Sequence, residues 1–139
     1  MNGANGARGS CQCGTITFTV SGPFDSFFLC HCSRCRKDTG SSHAANLFSS
    51  TAVLEWVSGA DSVRTYRVPG TGHEKSFCIG CGAAVPIIQM NGQLLVVPAG
   101  SLDTEIAIAP TGHICVGDAA EWDEQLSQAP RFDGLPGPG

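Results

Sequence analysis

The fold depends on a short cysteine knuckle, Cys78-Ile79-Gly80-Cys81-Gly82. Such a turn presents both sulfurs to one point, and its glycines permit close backbone approach and left-handed conformations. Upstream, the segment Cys11-Gln12-Cys13-Gly14 places two cysteines at alternate positions of an extended chain, so that both side chains point to the same side. Together the two pairs supply four thiolates. They predict a closed, tetrahedral structural zinc site formed by Cys11, Cys13, Cys78 and Cys81.

A third cluster, Cys30-His31-Cys32-Ser33-Arg34-Cys35, has an odd number of thiols. Three protein ligands and one open position are typical of a zinc ion that binds a substrate, so we expect Cys30, Cys32 and Cys35 to hold a second ion. His31 is an alternative fourth ligand, but in an extended segment it faces away from Cys30 and Cys32. Cys115, in the apolar segment HICV, is another alternative. Its simplest interpretation is a buried free cysteine.

Eight cysteines in 139 residues also permit a disulfide framework. Two observations favour a metal instead. Residues 1–10 contain no recognisable secretory leader, which predicts a cytoplasmic protein with reduced thiols. Closely spaced cysteines also bring several sulfurs to one point, which suits an ion better than separate bridges. The net charge of −4 argues against a nucleic-acid partner, and no apolar run is long enough to span a bilayer.

The third cluster carries three of the eight basic residues of the chain, Arg34, Arg36 and Lys37. Cations next to a zinc ion with three thiolates stabilise its net negative charge and attract an anionic ligand. The simpler interpretation is a solvated basic turn. Thiolate donation also makes such a zinc ion a weak Lewis acid that favours soft ligands. The cluster therefore indicates chemistry on a small thiol rather than hydrolysis.

Alternation and turn signals predict a mainly β fold of short antiparallel strands. The predicted strands cover residues 15–20, 27–30, 44–48, 62–68 and 113–116, together with a hairpin in which Asn91-Gly92 joins residues 83–89 to 93–98. Residues 32–39 are predicted to form a turn or one helical turn ended by Gly40, and residues 118–125 a short helix. We expect a flexible N-terminus over residues 1–8, a single zinc-binding domain over 9–129 and a flexible tail over 130–139.

The cysteine motifs carry a resemblance over residues 9–122. They read Cys11-x-Cys13-Gly14, Cys30-His31-Cys32-x-x-Cys35-Arg36-Lys37-x-Thr39-Gly40 and Phe77-Cys78-x-x-Cys81-Gly82. With Gly100-Ser101-Leu102-Asp103 and His113-Ile114 before Trp122, the set resembles the glutathione-dependent formaldehyde-activating enzyme family, which includes centromere protein V.

The resemblance implies a small β-tent fold, a structural zinc ion at the two outer cysteine pairs and a catalytic zinc ion at Cys30, Cys32 and Cys35. It also implies a carbon–sulfur lyase that joins formaldehyde to glutathione, giving S-(hydroxymethyl)glutathione. Arg34, Arg36 and Lys37 would then attract the carboxylates of the thiol substrate. The alternative is a non-enzymatic carrier of a thiol or formaldehyde, or an interaction module. The motifs fix no general base; the candidates, each more simply structural, are His43, His73, His113 and Asp103.

Overall fold

The computed structural model describes residues 6–137. Within that range eleven short strands form three sheets, with the strand orders β1-β2-β5, β6-β7-β8 and β11-β3-β4-β10-β9. The strands are β1 (Ala7–Ser10), β2 (Thr17–Ser21), β3 (Ser26–Cys30), β4 (Ala44–Ser49), β5 (Val53–Ser58), β6 (Val63–Arg67), β7 (Glu74–Cys78), β8 (Ala84–Val85), β9 (Ile87–Gln89), β10 (Leu94–Pro98) and β11 (Gly112–Ile114). The prediction of a mainly β fold is confirmed.

Strand pairing is antiparallel except at one edge of the five-stranded sheet. There β11 runs parallel to β3, with His113 opposite Leu29 and Ile114 opposite Cys30. The expectation of purely antiparallel strands is therefore wrong at this edge. A long chain segment separates the two strands, and such a connection permits a parallel partner. The pairing brings the chain after β11 next to the cysteines that follow β3.

Two apolar clusters hold the sheets together. In the larger one, Phe18 of β2 packs with Leu47 of β4 and Val97 of β10, so the β1-β2-β5 sheet faces the five-stranded sheet. These side chains are almost fully buried because alternate residues of each strand point to the same face. The smaller cluster consists of Cys11, Ile16, Cys78 and Val85. Two of the predicted metal ligands are thus part of the second core.

The predicted hairpin is present, with a break that was not predicted. β9 pairs with β10 in antiparallel register, and the turn Met90, Asn91 and Gly92 has positive φ at all three residues. The segment before the turn is divided between two sheets, because β8 pairs with β7 while β9 pairs with β10. Pro86 lies between β8 and β9, where the chain has no backbone N–H to continue a ladder.

Three strands, β1, β5 and β7, were not predicted from the sequence. β1 pairs with β2 from Ala7 onwards, so residues 7 and 8 of the expected flexible N-terminus belong to a sheet. β5 carries apolar residues on both faces, with Val53 and Val57 largely exposed, and this obscures its alternation. Residues 1–5 and 138–139 of the expected flexible ends lie outside the described residues. Residues 130–137 are exposed and contain neither helix nor strand.

The helices are short. α1 (Ser33–Thr39) is capped by Cys32 at its N-terminus and by Gly40 at its C-terminus, and the left-handed conformation of Gly40 lets its N–H bond to the Arg36 carbonyl. The helix predicted over residues 118–125 is instead two 3₁₀ helices, Val116–Asp118 and Glu121–Gln128, because residues 119 and 120 are extended. Across residues 6–137 we find no helix with both the length and the apolarity to cross a membrane.

Gly59, between β5 and β6, provides a test of how tightly the second core is built. Its φ is +74°, and an added Cβ would lie 2.3 Å from the Thr15 carbonyl oxygen. We expect Gly59→Ala to cost about 1–2 kcal/mol for the left-handed conformation and about 1–3 kcal/mol more for the clash.

Gly70→Ala is the matched control, because Gly70 has a φ of +76° and an added Cβ there would meet nothing within 4 Å. Urea unfolding of the metal-loaded variants measures the difference. Equal midpoints for the two variants would show that the Thr15–Gly59 contact is easily relieved.

Candidate metal centre and adjoining clefts

The two outer cysteine pairs meet as the spacing predicts. The Sγ atoms of Cys11, Cys13, Cys78 and Cys81 all lie within 4.8 Å of one another. The Cys11–Cys13 separation is 3.6 Å and the Cys13–Cys78 separation 3.8 Å. Four sulfurs at about 2.3 Å from a central zinc ion lie about 3.8 Å apart, whereas a disulfide needs about 2.05 Å. The thiols are unbonded, and their geometry fits a tetrahedral metal ion.

Backbone amides orient these sulfurs. The Ile16 N–H points to Cys11 Sγ at 3.3 Å, and the Gly80 N–H points to Cys78 Sγ at the same distance. Cys11 and Cys78 are buried, but Cys13 is exposed, so the cluster lies just below the surface. Hydrogen bonds with the side chain and backbone of Thr15 lower the pKa of Cys13 to about 6. This favours the thiolate that a metal ion needs.

The third cysteine cluster, which we now call the inner cluster, contains the three predicted thiols. The Sγ atoms of Cys30, Cys32 and Cys35 lie within 4.8 Å of one another, at the end of β3 and the start of α1. Cys32 is the N-cap of α1, and its sulfur accepts the Cys35 N–H at 3.4 Å. Burial raises the pKa of Cys35. Burial also acts to raise the pKa of Cys32, but hydrogen bonds with Cys35, Cys30 and the Arg34 backbone together outweigh it and lower that pKa. The three sulfurs have the arrangement of a three-ligand metal site.

Of the two alternative fourth ligands, His31 lies away from the three sulfurs and Cys115 lies next to one of them. His31 is fully buried and its Nε2 lies 2.8 Å from Nδ1 of His113, away from the three sulfurs. Cys115 is exposed and has a left-handed backbone with a φ of 57°, so the interpretation of a buried free cysteine is wrong. Its thiol interacts with that of Cys30, but it is not part of the group of three sulfurs. The short β11 ends at Ile114, which releases Cys115 from the apolar face.

A cleft of about 220 Å³ opens beside the inner cluster, and we call it the thiol cleft. Its walls include Cys30 and Cys35, and among its polar residues are Asp38, His73 and Lys75. These three form one network: His73 Nε2 and Lys75 Nζ each lie 3.0 Å from an oxygen of the Asp38 carboxylate. Lys75 also donates to the Asp38 carbonyl at 2.7 Å. The network places a proton-carrying group and a cation in the same cleft as two of the thiols.

Sequence reasoning named His73 only as one of four candidate bases, and it missed Asp38 and Lys75. Asp38 occupies an unspecified position of the α1 motif, directly after the basic residues, so the motif does not mark it as functional. Lys75 lies on β7, distant in sequence. Only the docking of β7 beside α1 joins them, and no local pattern in the sequence reveals that contact.

A second cleft of about 570 Å³ shares Asp38, His73 and Lys75 with the thiol cleft and is therefore adjacent to it. We call it the basic cleft, because Arg34 and Lys37 line it together with Lys75. The apolar part of its wall consists of Tyr66, Val68 and Phe77. Arg36, the third predicted cation, lines neither cleft; its Nε is buried and has no hydrogen-bond partner among the described residues.

The remaining candidate bases lie outside both clefts. Asp103 accepts a hydrogen bond from Ser10 at 2.7 Å, and its backbone N–H donates to the Arg8 carbonyl, so it ties its loop to β1. His43 and His113 cluster with His31, with ring centroids 5.0–6.4 Å apart. Neither is in the wall of the thiol cleft.

Comparison with known proteins identifies the family to which this chain belongs. The sequence model of the family described as glutathione-dependent formaldehyde-activating enzyme matches residues 6–118. The chain belongs to this family, and the resemblance drawn from the motifs is confirmed.

A crystal structure of a Rhodobacter sphaeroides protein, a structural-genomics target, is similar in fold. Its TM-score is 0.56 at 22% identity, and the match covers 76% of this chain and 98% of that one. At that identity the likeness supports the fold alone. A search of curated proteins found no match.

The four-thiolate geometry generates a direct test. Cobalt(II) added to the reduced, metal-free protein should give the intense sulfur-to-metal charge-transfer bands of thiolate ligation, because the outer sulfurs already surround one point. Cys78→Ser should lose a large part of this absorption and much of the folded population, since Cys78 is also a core residue. Cys115→Ser is the control. Equal absorption from both variants would contradict the assignment of Cys78 as a ligand.

Proposed function

We propose that this protein is a zinc-dependent carbon–sulfur lyase that acts on the adduct of a small thiol, with S-(hydroxymethyl)glutathione as the first substrate to test. One observation carries the proposal: the inner cluster offers three thiolates and faces a cleft that contains a carboxylate, an imidazole and an ammonium group. The outer cluster has four thiolates and completes a coordination shell by itself. The two clusters therefore suit a structural and a catalytic zinc ion, respectively.

The reaction is redox-neutral. In the synthetic direction the thiol sulfur bonds to the carbonyl carbon of formaldehyde, the carbon–oxygen π bond breaks, and the thiol proton ends on the new hydroxyl oxygen. Zinc bound by Cys30, Cys32 and Cys35 would supply a Lewis-acidic position that favours a soft sulfur ligand. The protein must in addition move one proton and hold the thiol in place.

The Asp38–His73 pair supports the proton transfer. With the Nε2–H of His73 donated to Asp38, the lone pair is on Nδ1, which suits a group that accepts a thiol proton and returns it to oxygen. Lys75 pairs with the other oxygen of Asp38, so the carboxylate is held from two sides. We assign His73 as the proton carrier and Asp38 as its positioning residue.

The basic cleft supports recognition of a carboxylate-bearing thiol. Arg34 and Lys37 project from the exposed side of α1, and their charges are close to the thiol cleft because the two clefts share a wall. The thiol cleft alone is smaller than a typical ligand site of about 300–1,000 Å³. The reacting sulfur therefore fits the thiol cleft, while the carboxylates of glutathione reach the basic cleft.

The activity prediction concerns Cys32 and His73. The cysteine clusters of the purified protein should hold about two zinc ions per chain and those of Cys32→Ser about one, and this variant should remain folded and lose activity. His73→Gln should keep both ions and lower kcat about a hundredfold. NMR measurement of exchange between formaldehyde and glutathione, with catalytic amounts of protein, gives the rate.

The same experiment separates an enzyme from a carrier. Stoichiometric binding of the adduct without faster exchange would favour the carrier and overturn the lyase. A Cys32→Ser variant with full activity would exclude the inner cluster as the reaction centre.

A recognition prediction concerns Arg34. Arg34→Ala should raise KM for glutathione about tenfold and leave kcat nearly unchanged, because a charge-assisted contact with a carboxylate contributes about 1.5 kcal/mol. Arg131→Ala removes the same charge from an exposed position that lines neither cleft. Steady-state kinetics of both variants measure the two values of KM and kcat that test this prediction. Equal effects would show that Arg34 acts through net charge alone.

A further inference from the structure

His31 contains the most unusual polar atom outside the two cysteine clusters. The residue is fully buried, and among the described residues its Nδ1 has no hydrogen-bond partner. Asp123 Oδ1 lies 3.7 Å from this nitrogen, which is too far for a hydrogen bond. Leaving a buried nitrogen unpaired costs about 1–3 kcal/mol. A ligand between His31 and Asp123 would remove that cost.

A third side chain completes the group. Ligand atoms of His31, His43 and Asp123 all lie within 4.8 Å of one another. Nitrogen and oxygen ligands at about 2.0–2.2 Å from one tetrahedral ion lie about 3.4 Å apart, close to the separation of His31 and Asp123. The spacing of His31 and Asp123 therefore already suits a shared ion, and the His43 ligand atom lies within 4.8 Å of both.

The other nitrogens of both histidines already have partners. His31 Nε2 lies 2.8 Å from His113 Nδ1, and His43 Nδ1 lies 2.7 Å from the hydroxyl of Ser42, which is itself buried. Metal-binding histidines almost always engage their second ring nitrogen in this way, which fixes the tautomer and the ring orientation. The two hydrogen bonds leave Nδ1 of His31 and Nε2 of His43 for a ligand.

We propose that His31 Nδ1, His43 Nε2 and the Asp123 carboxylate form a third metal site, separate from the cysteine clusters. Two imidazoles and a carboxylate suit a first-row divalent transition ion with one or more open positions. His113 is a positioning residue that holds the His31 ring. The site adds an ion with nitrogen and oxygen ligands to a protein whose other candidate centres contain only sulfur.

The position of His31 links this site to the inner cluster. His31 lies between Cys30 and Cys32 in the chain, and its side chain is on the opposite side from theirs. Asp123 comes from the 3₁₀ helix Glu121–Gln128, which lies beyond the residues matched by the family model. An ion here would attach that otherwise exposed helix to the segment that carries two of the reactive thiols.

Cobalt(II) is the probe, added to the full-length protein after both cysteine clusters have been loaded with zinc. Wild type should take up about one further equivalent, with weak d–d bands and no sulfur charge-transfer band. Asp123→Asn and His43→Gln should each weaken this uptake at least tenfold. Asp118→Asn, an exposed acid of the neighbouring 3₁₀ helix, is the control and should bind like wild type.

Nitrogen NMR of the histidine rings gives a second readout with added zinc. The His31 Nδ1 resonance should shift, while that of His73 should stay. Equal cobalt uptake by wild type and Asp123→Asn would overturn the site. Uptake of no ion beyond those held by cysteine would also overturn it. Neither result depends on turnover, so failure of the lyase proposal is seen separately.

Discussion

Convergence of four sulfurs from two distant chain segments is the constraint on which the rest of the structure depends. Cys11 and Cys13 follow β1, whereas Cys78 ends β7 and Cys81 follows it, so an ion held between the two pairs closes a loop of roughly sixty residues. Apparent zinc-binding free energies of about 10–16 kcal/mol in zinc-finger peptides equal or exceed the net stability of a typical domain, about 5–15 kcal/mol. Metal binding at the outer cluster is therefore expected to decide whether the second core forms.

The inner cluster uses the same chemistry for a different purpose. Its sulfurs come from one short segment, which turns from β3 into α1, so the ion they hold closes no long loop. The buried thiol of Cys35 and the N-cap position of Cys32 orient the sulfurs locally. Alternation along the same segment sends His31 to the other side, against two further imidazoles. The end of β3 and the turn after it thus present cysteine sulfurs on one side and a group of imidazoles on the other.

Local patterns predicted much of this fold. The cysteine spacing gave both clusters, the Asn-Gly turn gave the β9–β10 hairpin, and alternation gave β2 and β6. The predictions from the sequence failed where contacts between distant parts of the chain determine the local structure. β5 has apolar residues on both faces, β11 pairs in parallel with a strand far away in the chain, and Cys115 is exposed because β11 ends just before it. Asp38 and Lys75 meet only through the docking of β7 on α1, which no sequence period encodes.

Cadmium NMR of the cadmium-substituted protein tests the central claim most directly, since the two cysteine clusters differ by one protein ligand. The account predicts two signals in the thiolate range, of which only one moves when glutathione is added, because only the inner ion can accept a further sulfur. If neither signal shifted when glutathione was added, the protein itself would saturate the inner ion, and this result would contradict the account.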